Sequence, residues 1–149
     1  MSFSALIIGT TAFAMSAIAE VNGEVVITDC LLGLKPALES GDFSGSLDCS
    51  HDKLSVERVG QVRTFTVYSY RYKLAPPCPD CAIHGGHRII FVENGRYVGQ
   101  YRADGASAMI RDGNLFLKSS NGESVAVEFT AEGPQNKLLV DGELTSFFR

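Results

Sequence analysis

The chain has 149 residues and a net charge of −4, with 45% hydrophobic and 20% charged residues. These values are typical of one globular domain and argue against a disordered chain, a collagen-like fibre or several independent domains. No run approaches the roughly 18 consecutive apolar residues of a membrane-spanning helix, so we do not expect an integral membrane protein.

The N-terminal segment has the features of an export signal. Residues 1–19 contain no charged side chain and end in Ala17-Ile18-Ala19, and Glu20 follows. Small residues in this A-x-A pattern are typical of a signal-peptidase cleavage site. The sequence therefore predicts a signal peptide over residues 1–19 and a single disulfide-stabilised β domain over residues 20–149, located in the periplasm or outside the cell. The basic residues that usually precede the apolar stretch are missing, so a retained anchor and a buried N-terminal segment are the alternatives.

The first third of the predicted mature chain differs from the rest. Residues 25–28 have the β-branched composition of a strand. Residues 30–40 carry leucines at helical spacing, although Gly33 and Pro36 limit any helix to short pieces. Residues 41–52 are rich in Gly, Ser and Asp and predict a loop.

The remaining residues predict strands separated by tight turns. Residues 62–74 lack Gly and Pro and are dense in β-branched and aromatic residues, so they predict one long strand. Asn94-Gly95 predicts a type I′ hairpin between strands at 88–93 and 96–102. Further Asp-Gly and Asn-Gly turns then separate predicted strands at 106–111, 114–119, 124–130, 137–140 and 143–148. The expected fold is mainly β, an antiparallel meander that forms a small barrel or sandwich, with a short helical piece near the N-terminus.

All four cysteines, Cys30, Cys49, Cys78 and Cys81, lie in the predicted mature chain. An even number of cysteines in a small exported domain is typical of disulfide bonds, because the oxidising compartment removes free thiols. Proximity along the chain favours a bond between Cys30 and Cys49, which would stabilise the fold by roughly 3 kcal/mol in the chain-entropy model. That pairing leaves Cys78 to bond Cys81.

Charge is distributed unevenly along the chain. Residues 20–52 carry a net charge of −6, residues 53–118 a net charge of +5 and residues 119–149 a net charge of −3. Neighbouring strands can interleave and compensate such charges. The alternative is that the basic middle contacts an anionic partner. The binding candidates are the basic residues at strand ends: Arg71, Lys73, Arg88, Arg96 and Arg102.

Residues 75–87 predict a loop between two strands, and they are the segment whose side chains could carry chemistry. Cys78, Cys81, His84 and His87 follow one another at three-residue intervals, and two thiolates with two imidazoles suit tetrahedral zinc, or copper. The two cysteines also have the C-x-x-C spacing of thiol–disulfide exchange proteins, but the segment has no room for the helix that lowers the thiol pKa there. We favour a structural disulfide, with metal binding and thiol exchange as alternatives.

No hydrolase, zinc-protease or nucleotide-binding motif occurs in the chain, which favours a non-enzymatic role. An acidic, exported chain without a nucleic-acid-binding motif also argues against a nucleic-acid partner. The sequence therefore predicts a binding or interaction module at the cell envelope, with a protein, glycan or lipid as partner and no cofactor. The alternative is a periplasmic metal-binding or thiol–disulfide protein that uses residues 78–87.

Overall fold

The computed structural model describes residues 29–149, so the predicted signal peptide and the predicted strand at residues 25–28 lie outside the described residues. The fold class is confirmed: the described chain is mainly β, its sheets are antiparallel, and it contains one short helix. The elements in chain order are α1 (Lys35–Ser40), β1 (Lys53–Val62), β2 (Phe65–Lys73), β3 (Gly85–Glu93), β4 (Arg96–Arg102), β5 (Ala106–Arg111), β6 (Asn114–Ser119), β7 (Ser124–Ala126), β8 (Phe129–Thr130), β9 (Gly133–Pro134), β10 (Lys137–Val140) and β11 (Glu143–Ser146).

Strands β1 to β4 form a four-stranded antiparallel sheet in chain order. The β3–β4 hairpin turns at Asn94-Gly95 with φ values of 51° and 72°, as the predicted type I′ turn requires. The prediction of one strand over residues 62–74 is wrong at its start, because the chain turns at Arg63 and Thr64 and Arg63 adopts a φ of 51°. Residues 53–61, for which no strand was expected, form β1 together with Val62.

The C-terminal strands form three smaller sheets. Strands β5, β6 and β7 pair in order, β8 pairs with β9, and β10 pairs with β11. The predicted strand over residues 124–130 is interrupted between β7 and β8, and the last strand ends at Ser146. Phe148 instead forms an isolated bridge with Gln100 of β4. Within residues 29–149 these sheets stay separate, so they form packed layers and not a closed barrel.

The four-stranded sheet is buried on both faces. The first core lies between this sheet and the C-terminal strands, and its buried residues are Val62, Phe65, Val67, Ile89, Phe91, Tyr101, Ala103, Ala106, Leu115, Leu117, Val127 and Leu138. The second core lies between the opposite face and the segment around α1, and its buried residues are Leu31, Leu34, Leu38, Phe43, Val56, Tyr70, Ile90, Val92 and Tyr97. Because side chains alternate along a strand, β2 and β3 contribute to both cores.

The segment around α1 is held on the sheet by specific contacts. Pro36 lies in the first turn of α1, where its missing N–H costs no helical hydrogen bond, and the helix ends at Gly41. A Cβ atom at Gly41 would overlap the backbone of Tyr97, so only glycine allows this close approach. Downstream, the buried Tyr70 hydroxyl donates to the carbonyl oxygen of Ser46 at 2.8 Å. Burial raises the pKa of Tyr70 to about 12, so the hydroxyl stays a donor at physiological pH.

Both disulfides join cysteines that are close along the chain. Cys30 is bonded to Cys49, which links the start of the helical segment to the loop before β1. Cys78 is bonded to Cys81 within the β2–β3 connection. Cys30 is partly buried against the second core and Cys49 is exposed, so the first bond fastens the helical segment at the edge of that core. Within residues 29–149 no helix has the length and hydrophobicity needed to cross a bilayer.

Candidate binding surface at the basic end of the sheet

One end of the four-stranded sheet collects basic side chains from several strands. At this end β1 begins, β2 ends and β3 begins, since Lys53 pairs with Lys73 and Lys73 pairs with Gly85. Four of the five predicted binding residues lie here, and Lys53 joins them. We call this set the basic end, and its members are Lys53, Arg71, Lys73, Arg88 and Arg102.

The basic end contains two like-charge pairs. Lys53 lies directly opposite Lys73, and Arg88 lies directly opposite Arg102. Among the described residues the single salt bridge joins Lys35 to Glu39 in α1, so no member of the basic end pairs with a carboxylate there. Like charges directly opposite each other destabilise an antiparallel pair. The clustering therefore opposes folding slightly.

The two like-charge pairs lie on opposite faces of the sheet. Residues directly opposite each other share a face, and successive residues alternate. Lys73 therefore lies on the face of the first core, together with Arg71. Arg88, which is opposite Tyr70, lies on the face of the second core, and Arg102 shares that face.

Arg96, the fifth predicted binding residue, lies at the other end of the sheet. It pairs with Glu93 beside the β3–β4 turn. Six residue steps along β4 separate it from Arg102, about 20 Å at the usual rise per residue of a strand. Arg96 is exposed and basic, so it serves as a matched control for the basic end.

Arg88 is held more firmly than its neighbours. It is half-buried, and its guanidinium carbon lies 5.1 Å from the ring centroid of Tyr72 and 5.9 Å from that of Phe43. Its Nη1 atom donates to Ser44 Oγ and to Gln100 Oε1, both at 3.5 Å. Cation–π contacts and these long hydrogen bonds fix the guanidinium in one place.

His87 lies in β3 and not in a loop, contrary to the expectation for residues 75–87. It is 5% exposed, and its Nδ1 donates to the carbonyl oxygens of Ala103 at 3.1 Å and Ala106 at 2.9 Å. Since carbonyls only accept, Nδ1 carries the hydrogen, and Nε2 accepts from Ser69 Oγ at 2.6 Å. Burial, with the nearby charge of Arg71 as a smaller cause, lowers the pKa of His87 below its ordinary value.

The structure does not bring the four predicted metal ligands together around one point. Cys78 and Cys81 are bonded to each other, His84 is exposed, and both ring nitrogens of His87 have protein partners. Within the described part of the chain, no three side chains of His, Cys, Asp or Glu are grouped as metal ligands.

The β2–β3 connection, residues 74–84, projects from the basic end. Its base is closed by a 2.7 Å hydrogen bond from the N–H of Leu74 to the carbonyl oxygen of His84. The N–H of Ala75 donates to Asp52 Oδ1 at 2.8 Å. Ser46 also donates to Asp52, so this carboxylate links the loop before β1 to the β2–β3 connection. The same hydrogen bonds lower the pKa of Asp52.

A second concave region adjoins the basic end, because Arg102 is one of its lining residues. It is a cleft of about 710 Å³ between the β4–β5 turn, β6 and the β10–β11 hairpin, and three carboxylates, those of Asp104, Asp141 and Glu143, line it. Ser119 is the buried polar side chain in its wall, and its hydroxyl already bonds to Asn121 and Glu123. Among the described residues that line the cleft, no buried polar group is therefore left to bind a ligand.

Sequence reasoning missed two residues of this surface, Lys53 and Ser44. The signal for Lys53 would have been the register of the β1–β2 hairpin, which places it opposite Lys73. Ser44 reaches Arg88 only through the tertiary position of its loop, 44 residues earlier in the chain. Comparisons of the chain with protein-family models, with curated proteins and with solved structures find no match.

Proposed function

We propose that this protein is an exported binding module of the cell envelope and that the basic end contacts an anionic partner there. The predicted signal peptide provides the route of export. The two disulfide bonds support an oxidising destination, because such bonds persist in secreted and periplasmic proteins. The partner is a protein, glycan or lipid that presents negative charge.

The observation that carries the proposal is that the strand register places like charges directly opposite each other twice. Opposed lysines and opposed arginines each cost the fold a few tenths of a kcal/mol to about 1 kcal/mol. An anionic group placed at either pair replaces this repulsion with attraction. The charges that destabilise the fold therefore strengthen the binding of an anionic partner.

The test is charge reversal with a matched control. Lys73→Glu and Arg102→Glu change exposed members of the two faces, and Arg96→Glu makes the same change at the far end of the sheet. The readout is the Kd of the purified, disulfide-intact protein for envelope fractions of the cell that exports it. We expect each single variant, Lys73→Glu and Arg102→Glu, to bind several-fold more weakly and their combination at least tenfold more weakly. Arg96→Glu, which matches the single variants in charge, should bind like the natural chain. Equal weakening by Arg96→Glu would contradict the proposal.

One observation also favours thiol–disulfide exchange as a second candidate function. Cys78 is exposed, and its bond to Cys81 spans 3 residues of a loop outside both cores. In the chain-entropy model so short a loop contributes about 2 kcal/mol, less than the bond between Cys30 and Cys49. We therefore expect the fold to persist when this bond is opened.

The Cys78→Ser/Cys81→Ser variant separates the two functions. A binding module retains its affinity for the envelope in this variant. An exchange protein instead loses its ability to reduce or oxidise a model protein disulfide in glutathione buffers, which measures thiol exchange directly. The zinc or copper alternative would require reduction of this bond and displacement of His87 from its three hydrogen bonds, and no observation favours it.

A further inference from the structure

We infer that Arg88 and Arg102, with Ser44 beside them, form a binding site for a phosphate group. We call these three residues the arginine corner. The inference rests on the proposed function, because it names the ligand chemistry for the second-core face of the basic end.

The surroundings of Arg88 favour the binding of an anion. A guanidinium has five N–H donors, and the hydrogen bonds of Arg88 within residues 29–149 are two bonds of 3.5 Å, both from Nη1. Its remaining donors have no protein acceptor in that range. Half-burial of a charge without a counter-ion is unfavourable. An anion that accepts from the free donors would offset this cost, and the ring contacts mean that little side-chain entropy is lost on binding.

Arg102 supplies the second charge. It is exposed and directly opposite Arg88, and Cβ atoms of such a pair lie about 5 Å apart. Two long side chains from these positions reach one anion. Guanidinium forks match the oxygen spacing of phosphate, and two of them match the charge of a phosphate monoester at neutral pH better than that of a single carboxylate.

Ser44 and the ring of Tyr72 complete the site. The Ser44 hydroxyl is exposed and lies 3.5 Å from Nη1 of Arg88, so it can hydrogen-bond to an oxygen of the same phosphate. The half-buried ring of Tyr72 flanks the guanidinium and offers apolar surface to the group that carries the phosphate, whereas Phe43 supports the guanidinium from the second core. Two sources of this chemistry are a phospholipid headgroup and a free phosphate compound.

The test is an NMR titration of the full, disulfide-intact protein. The probes are inorganic phosphate, vesicles of phosphatidylcholine alone, and vesicles of phosphatidylcholine with phosphatidic acid. We expect saturable shifts at the Gln100 side-chain amide and at the backbone N–H of Arg88. Arg102→Gln should weaken binding at least tenfold and Arg96→Gln should not change it. Arg102 is exposed, so its variant keeps the fold, and Arg88→Lys tests whether the fork matters as well as the charge.

The outcomes separate the inference from the proposed function. Loss of phosphate binding in Arg102→Gln but not in Arg96→Gln supports the arginine corner. Stronger binding to phosphatidic-acid vesicles than to free phosphate then identifies a lipid headgroup, and the reverse order identifies a free phosphate compound. Absence of saturable shifts with every probe, or equal weakening in both variants, overturns the inference. In that case the proposed function still stands if envelope binding depends on the charges of Lys73 and Arg102.

Discussion

Replacing His87 with leucine should destabilise the fold by about 2 to 3 kcal/mol. The change removes the hydrogen bond from Ser69 and the two bonds to Ala103 and Ala106 at a site that is 5% exposed. Each bond is worth about 1 kcal/mol net, and the buried Ser69 hydroxyl loses its acceptor. The Ala103 carbonyl keeps the N–H of Ala106 as a donor, which limits the loss.

The same residue should make stability depend on pH. The pKa of His87 is lowered in the folded state, chiefly by burial, from an ordinary value of 6.5. As pH falls below that value the unfolded chain binds a proton that the folded chain does not, so the free energy of unfolding decreases. The slope reaches at most about 1.4 kcal/mol per pH unit and ends at the folded-state pKa. Above about pH 7 the effect is absent.

Urea unfolding followed by circular dichroism measures both effects. The free energy of unfolding is determined at intervals between about pH 7.5 and pH 4.5 for the natural chain, for His87→Leu and for His84→Leu. This range stays above the region where Asp48 and Asp52 take up protons, because hydrogen bonds lower the pKa of each below 3.8. His84 is exposed, so its variant should stay within about 0.5 kcal/mol of the natural chain.

The natural chain and His84→Leu should lose stability toward pH 4.5, and His87→Leu should lose less. A pH slope that is identical in His87→Leu and the natural chain would refute the role given to His87. So would a loss of stability in His84→Leu as large as that in His87→Leu.

Two further pairs of variants test the packing around α1 and the first core by urea unfolding. Gly41→Ala should lower the free energy of unfolding by about 3 kcal/mol, because the new Cβ overlaps the backbone of Tyr97. Gly105→Ala, at a φ of 75° in open space, should lower the free energy of unfolding by only about 1 kcal/mol. A larger loss in Gly105→Ala than in Gly41→Ala would show that the contact between Gly41 and Tyr97 is not tight. Tyr97→Phe removes a buried hydroxyl that has no partner among the described residues, so stability should stay equal or rise by about 1 kcal/mol. Tyr101→Phe removes a hydroxyl bonded to Gln135 and should cost about 1 kcal/mol; a larger loss in Tyr97→Phe would reveal a missing partner.

Turn chemistry made much of the fold predictable. Asn94-Gly95 and the later Asp-Gly and Asn-Gly turns adopt positive φ, so the residues of the turn themselves determine where the chain reverses. Strands β5, β6 and β10 consequently have the bounds that the sequence predicts. These elements depend on local conformational preferences, which are visible in a single sequence.

The first hairpin could not be located from local pattern. Arg63 adopts positive φ without being glycine or asparagine, so the turn between β1 and β2 has no sequence signal. The middle of β2 is buried on both faces, so residues 62–74 show no change in hydrophobic pattern and predict one continuous strand. β1 is an edge strand with several exposed charged residues, which hides its alternation.

The candidate site was predicted in part because basic strand ends are visible in the sequence but their register is not. Arg88 and Arg102 become opposite neighbours only through the β3–β4 pairing, and Arg96 is excluded by the same pairing. His87 resembled a loop ligand because it follows two glycines, yet its three side-chain hydrogen bonds come from residues 16 to 19 positions away. Contacts of this range depend on tertiary structure.

Photo-crosslinking in intact cells tests most directly whether the basic end faces the partner. A benzoylphenylalanine replaces either His84, which is exposed beside the basic end, or Arg96, which is exposed at the far end of the sheet. Mass spectrometry of the exported protein then reports covalent adducts with protein, glycan or lipid. The proposed function predicts adducts from position 84 in clear excess over position 96. Adducts formed equally well, or better, from position 96 would contradict it.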